Sequence, residues 1–189
     1  MSAEPNQSSQ EFVGINEGLP LWTEAALEKL KDIASVFGST IYYSELAQDI
    51  QHHTGAHTRS AFRNWIGKVL ESVDKVCRAE SLPPLASLAV RQADGRVGAG
   101  YDHNIKAAGQ DAAGDPFERN RQAVFDRLEC YRSYCSSVPA DAEEILQAQV
   151  RKSNSKPSRK KSVEKPAAIC QDCFIQLPMT GICPNCEDR

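Results

Sequence analysis

The sequence predicts a mainly α protein, with a winged-helix-like helical domain that carries a β-hairpin and a small zinc ribbon at the C-terminus. Three observations predict it. Apolar residues recur every three or four positions in successive blocks between residues 23 and 78. Asp94-Gly95, a strong turn dipeptide, lies between two short runs of strand-like composition. The last twenty residues, CQDCFIQLPMTGICPNCEDR, hold four cysteines in two CxxC pairs. Period, turn chemistry and cysteine spacing are the primary signals of helix, hairpin and metal knuckle respectively.

Residues 1–18 are polar, short of large apolar side chains, and predicted to be disordered. The helical domain is placed at 19–150. Its first helix is predicted from Thr23, where Leu27, Leu30, Ile33 and Phe37 share a face and Gly38 supplies a stop. A short helix follows Ser44, with Leu46, Ala47 and Ile50 together, ending near Gly55. The third, from about Thr58 to Arg78, has the longest apolar stripe: Phe62, Trp65, Ile66, Val69, Leu70, Val73 and Val76. Residues 86–91 then read as a strand, Asp94-Gly95 as its turn, 96–101 as the return strand, and 102–114 as a loop. Asp115-Pro116 caps a helix expected to bury Phe117, Val124, Leu128 and Tyr131, and a last short helix is placed near 143–150.

Charge divides the chain. Residues 1–150 carry 14 Lys+Arg against 21 Asp+Glu, and residues 151–189 carry 8 against 4. The segment 151–168, RKSNSKPSRKKSVEKPAA, has seven cations, one acid and a single large apolar residue, Val163, so it is predicted to be a flexible basic linker able to meet phosphates. No apolar run approaches the length of a membrane span, so no membrane partner is expected and a cytoplasmic location is.

The C-terminal twenty residues also contain Leu177-Pro178-Met179-Thr180-Gly181, an LPxTG-type peptide. A sorting signal of that kind would be accompanied by a basic, apolar leader and a hydrophobic tail. The first twelve residues, MSAEPNQSSQEF, and the last eight, ICPNCEDR, resemble neither. The expectation is instead a structural Zn2+ held by Cys170, Cys173, Cys183 and Cys186, because two C-x2-C turns can aim four thiolates at one tetrahedral ion. The nine intervening residues suffice for a short hairpin turning at Pro178 and Gly181. An all-thiolate site is closed to catalysis, and its metal would supply most of the folding free energy of residues 169–189. Cys77, Cys130 and Cys135 lie within helical patterns and are read as core thiols, and His52, His53 and His57 as surface loop histidines.

Three stretches carry a resemblance. IYYSELAQDI, RNWIGKVL and ADGRVGAGY resemble the Tyr-Gly-Glu-Ile-Ala helix, the Arg-Ala-Val-Gly recognition helix and the Asp-Gly to Gly-Gly-Tyr segment of the DNA-binding domain of O6-alkylguanine alkyltransferases and alkyltransferase-like proteins, over residues 41–101. The resemblance implies a winged-helix domain whose third helix enters a DNA groove, with Tyr43 at the position of a phosphate-facing tyrosine. It does not carry over the chemistry. Ala86-Ser87-Leu88-Ala89 stands where that family has Pro-Cys-His-Arg, so the thiolate nucleophile and its activating histidine are missing. Asn64 occupies the place of the family's intercalating arginine, with Arg63 one residue earlier.

A non-enzymatic protein is expected, with duplex DNA as partner. The predicted contacts are Tyr43, Arg59, Arg63 and Lys68 around the third helix, Arg91 and Arg96 on the wing, and Arg159, Lys160 and Lys161 in the linker. The acidic body keeps a protein-interaction adaptor, with no nucleic acid, as the alternative.

Overall fold

A computed structural model describes residues 11–109 and 115–154. The chain divides into two units, Met1–Ser155 and Lys156–Arg189, and the described residues all lie in the first. They are mainly helical. The elements run β1 (Glu11–Phe12), α1 (Ile15–Ala34), β2 (Ile41–Tyr42), α2 (Tyr43–Thr54), β3 (Ala56–His57), α3 (Ile66–Ala79), β4 (Ala89–Val90), α4 (Asp102–Ala107), α5 (Pro116–Tyr134) and α6 (Ala142–Asn154). Single 3-10 turns cover Phe62–Asn64, Leu85–Leu88 and Ala99–Tyr101.

The N-terminal boundary differs from the predicted one. Residues 11–18 are ordered into β1 and the start of α1, because the Glu17 carboxylate accepts the Gly14 N–H at 2.9 Å and caps the helix eight residues before Thr23. Gly18 and Pro20 weaken the helical pattern there, yet Gly18 is required. A Cβ at that position would sit 2.5 Å from the Trp22 ring, one turn on. Trp22 and Trp65 are both fully buried, their rings 4.6 Å apart at 33°, and the Trp22 indole N–H donates to the Ala56 carbonyl at 2.9 Å. This pair joins α1, the entry to α3, and β3. The stripes of α1, α2 and α3 meet there, so that Leu30, Leu46, Ile50, Val69 and Val73 form one apolar core with Leu128 and Tyr131 of α5.

Helix α2 ends as predicted, at Gly55, whose φ of +70° reverses the chain into β3. Helix α3 begins at Ile66 rather than near Thr58. The Gln51 side chain accepts the Thr58 N–H at 2.8 Å and the Thr58 hydroxyl accepts that of Ser60, so local side-chain bonds hold this stretch out of the helix. Most of the apolar stripe is as read: Trp65, Ile66, Val69 and Val73 are buried, and Phe62 and Leu70 pack against the core, whereas Val76 is only half-buried and lies outside it.

No β-hairpin forms among the described residues. Both two-stranded sheets are parallel, β1 with β3 and β2 with β4, so Ala89–Val90 pairs back to Ile41–Tyr42 instead of forward. The turn at Gly95, φ +64°, does close, with the Arg91 N–H donating to the Arg96 carbonyl at 2.8 Å. Beyond it the donors that a return strand would have used go to side chains from other helices. Val97 N–H binds the Asn120 carbonyl oxygen at 3.2 Å, and Gly98 N–H binds the Tyr43 hydroxyl at 2.9 Å. Residues 102–107, read as loop, form α4, tied to α5 by the Asp102 carboxylate, which accepts from the Arg119 Nε and Nη2 at 2.6 and 2.5 Å.

The Asp115-Pro116 start of α5 is as predicted, the Asp115 carboxylate accepting the Phe117 N–H at 2.9 Å. Phe117 itself is 65% exposed, not buried. In this first turn the inward side chains are Arg119 and Asn120, engaged with Asp102 and Val97, whereas Val124, Leu128 and Tyr131 bury as expected. Helix α6 runs to Asn154, so the first four residues assigned to the basic linker are helical.

Candidate nucleic-acid interface

A cleft of about 590 Å³ opens beside the start of α3. One wall is the 3-10 turn and first turn of α3, with Phe62, Arg63, Asn64, Ile66 and Lys68. The facing wall is the 98–104 segment, with Tyr101, His103 and Asn104, and Ala86 and Tyr43 lie between them. The late start of α3 places Arg63 before the helix and Lys68 in its first turn, so two residues predicted for one continuous helix face converge from different local geometries. Arg91 joins them from the end of β4.

These cations differ in availability. Arg63 and Lys68 have no ion-pair partner among the described residues. Arg91 is held by Asp94, with its Nε and Nη2 donating to the two carboxylate oxygens at 3.2 and 2.6 Å. The acid on the cleft wall, Glu71, is bound by Lys75 at 2.8 Å, which holds its carboxyl below the usual range, and the His103 ring lies 3.8 Å away. No acidic side chain occupies the first turn of α3, where the helix dipole favours an anion.

Tyr43 is in the cleft, and its hydroxyl accepts the Gly98 N–H at 2.9 Å. Burial raises its pKa and the Gly98 bond opposes this, so the group remains a phenol with its proton left to donate. Two predicted contacts lie elsewhere. The Arg59 guanidinium sits over the Phe12 ring, 5.0 Å from its centre, beside β1 and β3. Arg96 is not part of the cleft wall, and its buried Nε has no hydrogen-bond partner among the described residues. Arg159, Lys160 and Lys161, and the four ligand cysteines Cys170, Cys173, Cys183 and Cys186, lie outside the described residues.

The other cysteines are core thiols. Cys77 and Cys130 are buried, and burial pushes the Cys130 thiol up to about 12, so neither is a ready thiolate. Cys135 is half-buried with its thiol donating to the Ala34 carbonyl at 3.0 Å. His52 and His53 lie on the last turn of α2 rather than in a loop, beside Glu28 and Asp49. His57 is in β3 and shares no helix face with them, since Gly55 ends α2.

The sequence reading missed Arg127. It lies on the apolar stripe of α5, between Val124 and Leu128, where an arginine is out of place and could have been flagged. It is buried, its Nε donates to the Ser87 carbonyl at 2.7 Å, and its Nη2 has no partner among the described residues. No family model, curated protein or solved structure matches the chain. No described helix is long and apolar enough to cross a membrane.

Proposed function

We propose that this chain is a non-enzymatic DNA-binding protein. Its helical domain is winged-helix-like in element order, with the 91–96 turn in place of a hairpin wing. Lys68 meets a duplex phosphate, Arg63 reaches toward the base edges, Arg91 and the Tyr43 hydroxyl stand beside them, and the basic segment after α6 adds sequence-independent attraction. The observation that carries the reading is the convergence of Arg63 and Lys68, both without an acid partner among the described residues, on the acid-free first turn of α3. Arg59 and Arg96 drop out of the contact set for the reasons of position given above. The test is titration of the full chain against duplexes at about 50 mM salt. Arg63→Ala is expected to reduce preference among sequences or lesions more than overall affinity. Absence of binding by the folded, zinc-loaded chain would remove the reading.

A protein-interaction adaptor is the second reading, favoured by one observation: Phe117 and Phe125 stand 65% and 37% exposed on α5. A stoichiometric complex that survives high salt and nuclease would support it.

Under either reading the C-terminal cysteines hold a structural Zn2+. Four thiol donors in two C-x2-C pairs fit that ion, and the buried Cys77 and Cys130 do not compete for the role. Metal analysis of protein purified reduced is expected to return about one zinc per chain. The Cys170, Cys173, Cys183 and Cys186→Ser variant is expected to return none, and zinc retained by that variant would overturn the assignment.

A further inference from the structure

We propose that the cleft beside α3 is a receptor for a small ligand that carries a phosphate or carboxylate on a flat apolar body, and that this ligand competes with DNA. The first half stands without the DNA-binding reading; the competition rests on it. Phosphate contacts along a duplex need cations on an open surface. They do not need a cavity of about 590 Å³, which falls within the range of small-molecule sites.

The walls divide by chemistry. Phe62, Tyr101, Ile66, Leu70 and Ala86 offer aromatic faces and aliphatic surface to a planar group. The charges around them leave a positive surplus, because Arg63 and Lys68 are unpaired among the described residues while Glu71 is already bound by Lys75. Arg127 is buried close by in the fold. Its Nε binds the carbonyl of Ser87, the chain neighbour of Ala86, which lines the cleft. Arg127 has no ion-pair partner among the described residues. Arg127 does not itself line the cleft, so the anion's direct partners are Arg63 and Lys68.

Two glycines give a way to fill the cleft without rebuilding it. Gly67 on the α3 side and Gly100 on the facing side both line it, and a Cβ added at either meets no atom within 4 Å. Neither has a positive φ, so a side chain brings no backbone strain.

The experiment uses the full chain without DNA. Guanosine monophosphate and 2-naphthoate are titrated separately by calorimetry, the first bearing a nucleobase and a phosphate, the second neither. Saturable one-to-one binding of at least one probe is expected, and the stronger of the two identifies the source of the anion. Gly67→Leu is expected to weaken it by about tenfold or more while retaining the thermal transition, and Gly100→Leu does the same from the other wall. Saturating ligand is then expected to displace duplex DNA. No saturable binding of either probe by folded protein up to about 1 mM would overturn the proposal, as would unchanged affinity in both folded glycine variants. A chain that binds a probe but no DNA would remove the DNA reading and leave the receptor standing. One that binds DNA but neither probe would remove the receptor alone.

Discussion

Trp22→Ala is expected to destabilise the helical domain by about 3–5 kcal/mol, the range for deleting a buried indole from a packed core. Domains of this size have a total stability of about 5–15 kcal/mol, so much of it is at stake. Three losses coincide. The ring leaves a void against Gly18, Trp65 loses its aromatic neighbour at 4.6 Å, and the Ala56 carbonyl loses the indole donor. Trp22→Phe separates them, since it keeps an aromatic ring but not the N–H, and is expected to cost about 1–3 kcal/mol. Urea unfolding followed by far-ultraviolet circular dichroism measures both. A loss below about 1 kcal/mol for Trp22→Ala would mean that the two tryptophans are not the centre of the core.

The second large effect concerns affinity. Replacing Arg159, Lys160 and Lys161 together with Ala is expected to weaken binding to all duplexes alike. Each phosphate contact contributes about 0.9 to the slope of log K against log salt, so three contacts amount to about 500-fold at 0.1 M salt relative to 1 M, where their contribution is about nil. The domain limits its own share, because residues 1–150 carry 21 acids against 14 cations. The salt slope is therefore expected to flatten by about 2.7 in the triple variant, with the ranking among duplexes preserved. An unchanged slope would assign the phosphate contacts to the helical domain.

What could be read from the sequence follows from range. The stripe from Trp65 to Val73, the Gly55 stop and the Asp115 cap are decided within a turn or two of chain, and each stands in the structure where it was read. The failures are decided at a distance. Residues 96–101 have the composition of a return strand, but Asn120 and Tyr43 take two of its backbone donors. The short α4 depends on Arg119 reaching back to Asp102, and nothing local marks it as a helix. Phe117 fits an apolar pattern yet falls in a turn whose inward positions are held by Arg119 and Asn120.

The candidate site divides in the same way. Arg63 and Lys68 were found because they lie at the start of the most periodic helix, Tyr43 through the resemblance alone, and the three do share one cleft. Arg59 was lost to a single error, the starting point of α3: moving that start to Ile66 leaves Arg59 over Phe12, in a segment no longer helical. The far wall, with Tyr101, His103 and Asn104, exists only because α4 folds against its neighbours. Local pattern cannot report that.

The two parallel strand pairs also govern the order in which this chain can mature on a ribosome. A parallel pair needs an intervening crossover, and here each joins segments well separated in sequence: Glu11–Phe12 to Ala56–His57, and Ile41–Tyr42 to Ala89–Val90. While residues beyond Val90 are still unsynthesised, β2 has just acquired its partner, and α4 and α5, which complete the cleft and the core, do not yet exist. The early helices must wait with their apolar faces uncovered until α5 has emerged. Ligand capture is therefore a property of the finished chain, and a translation product truncated before α4 would expose the α3 face without being able to enclose anything against it.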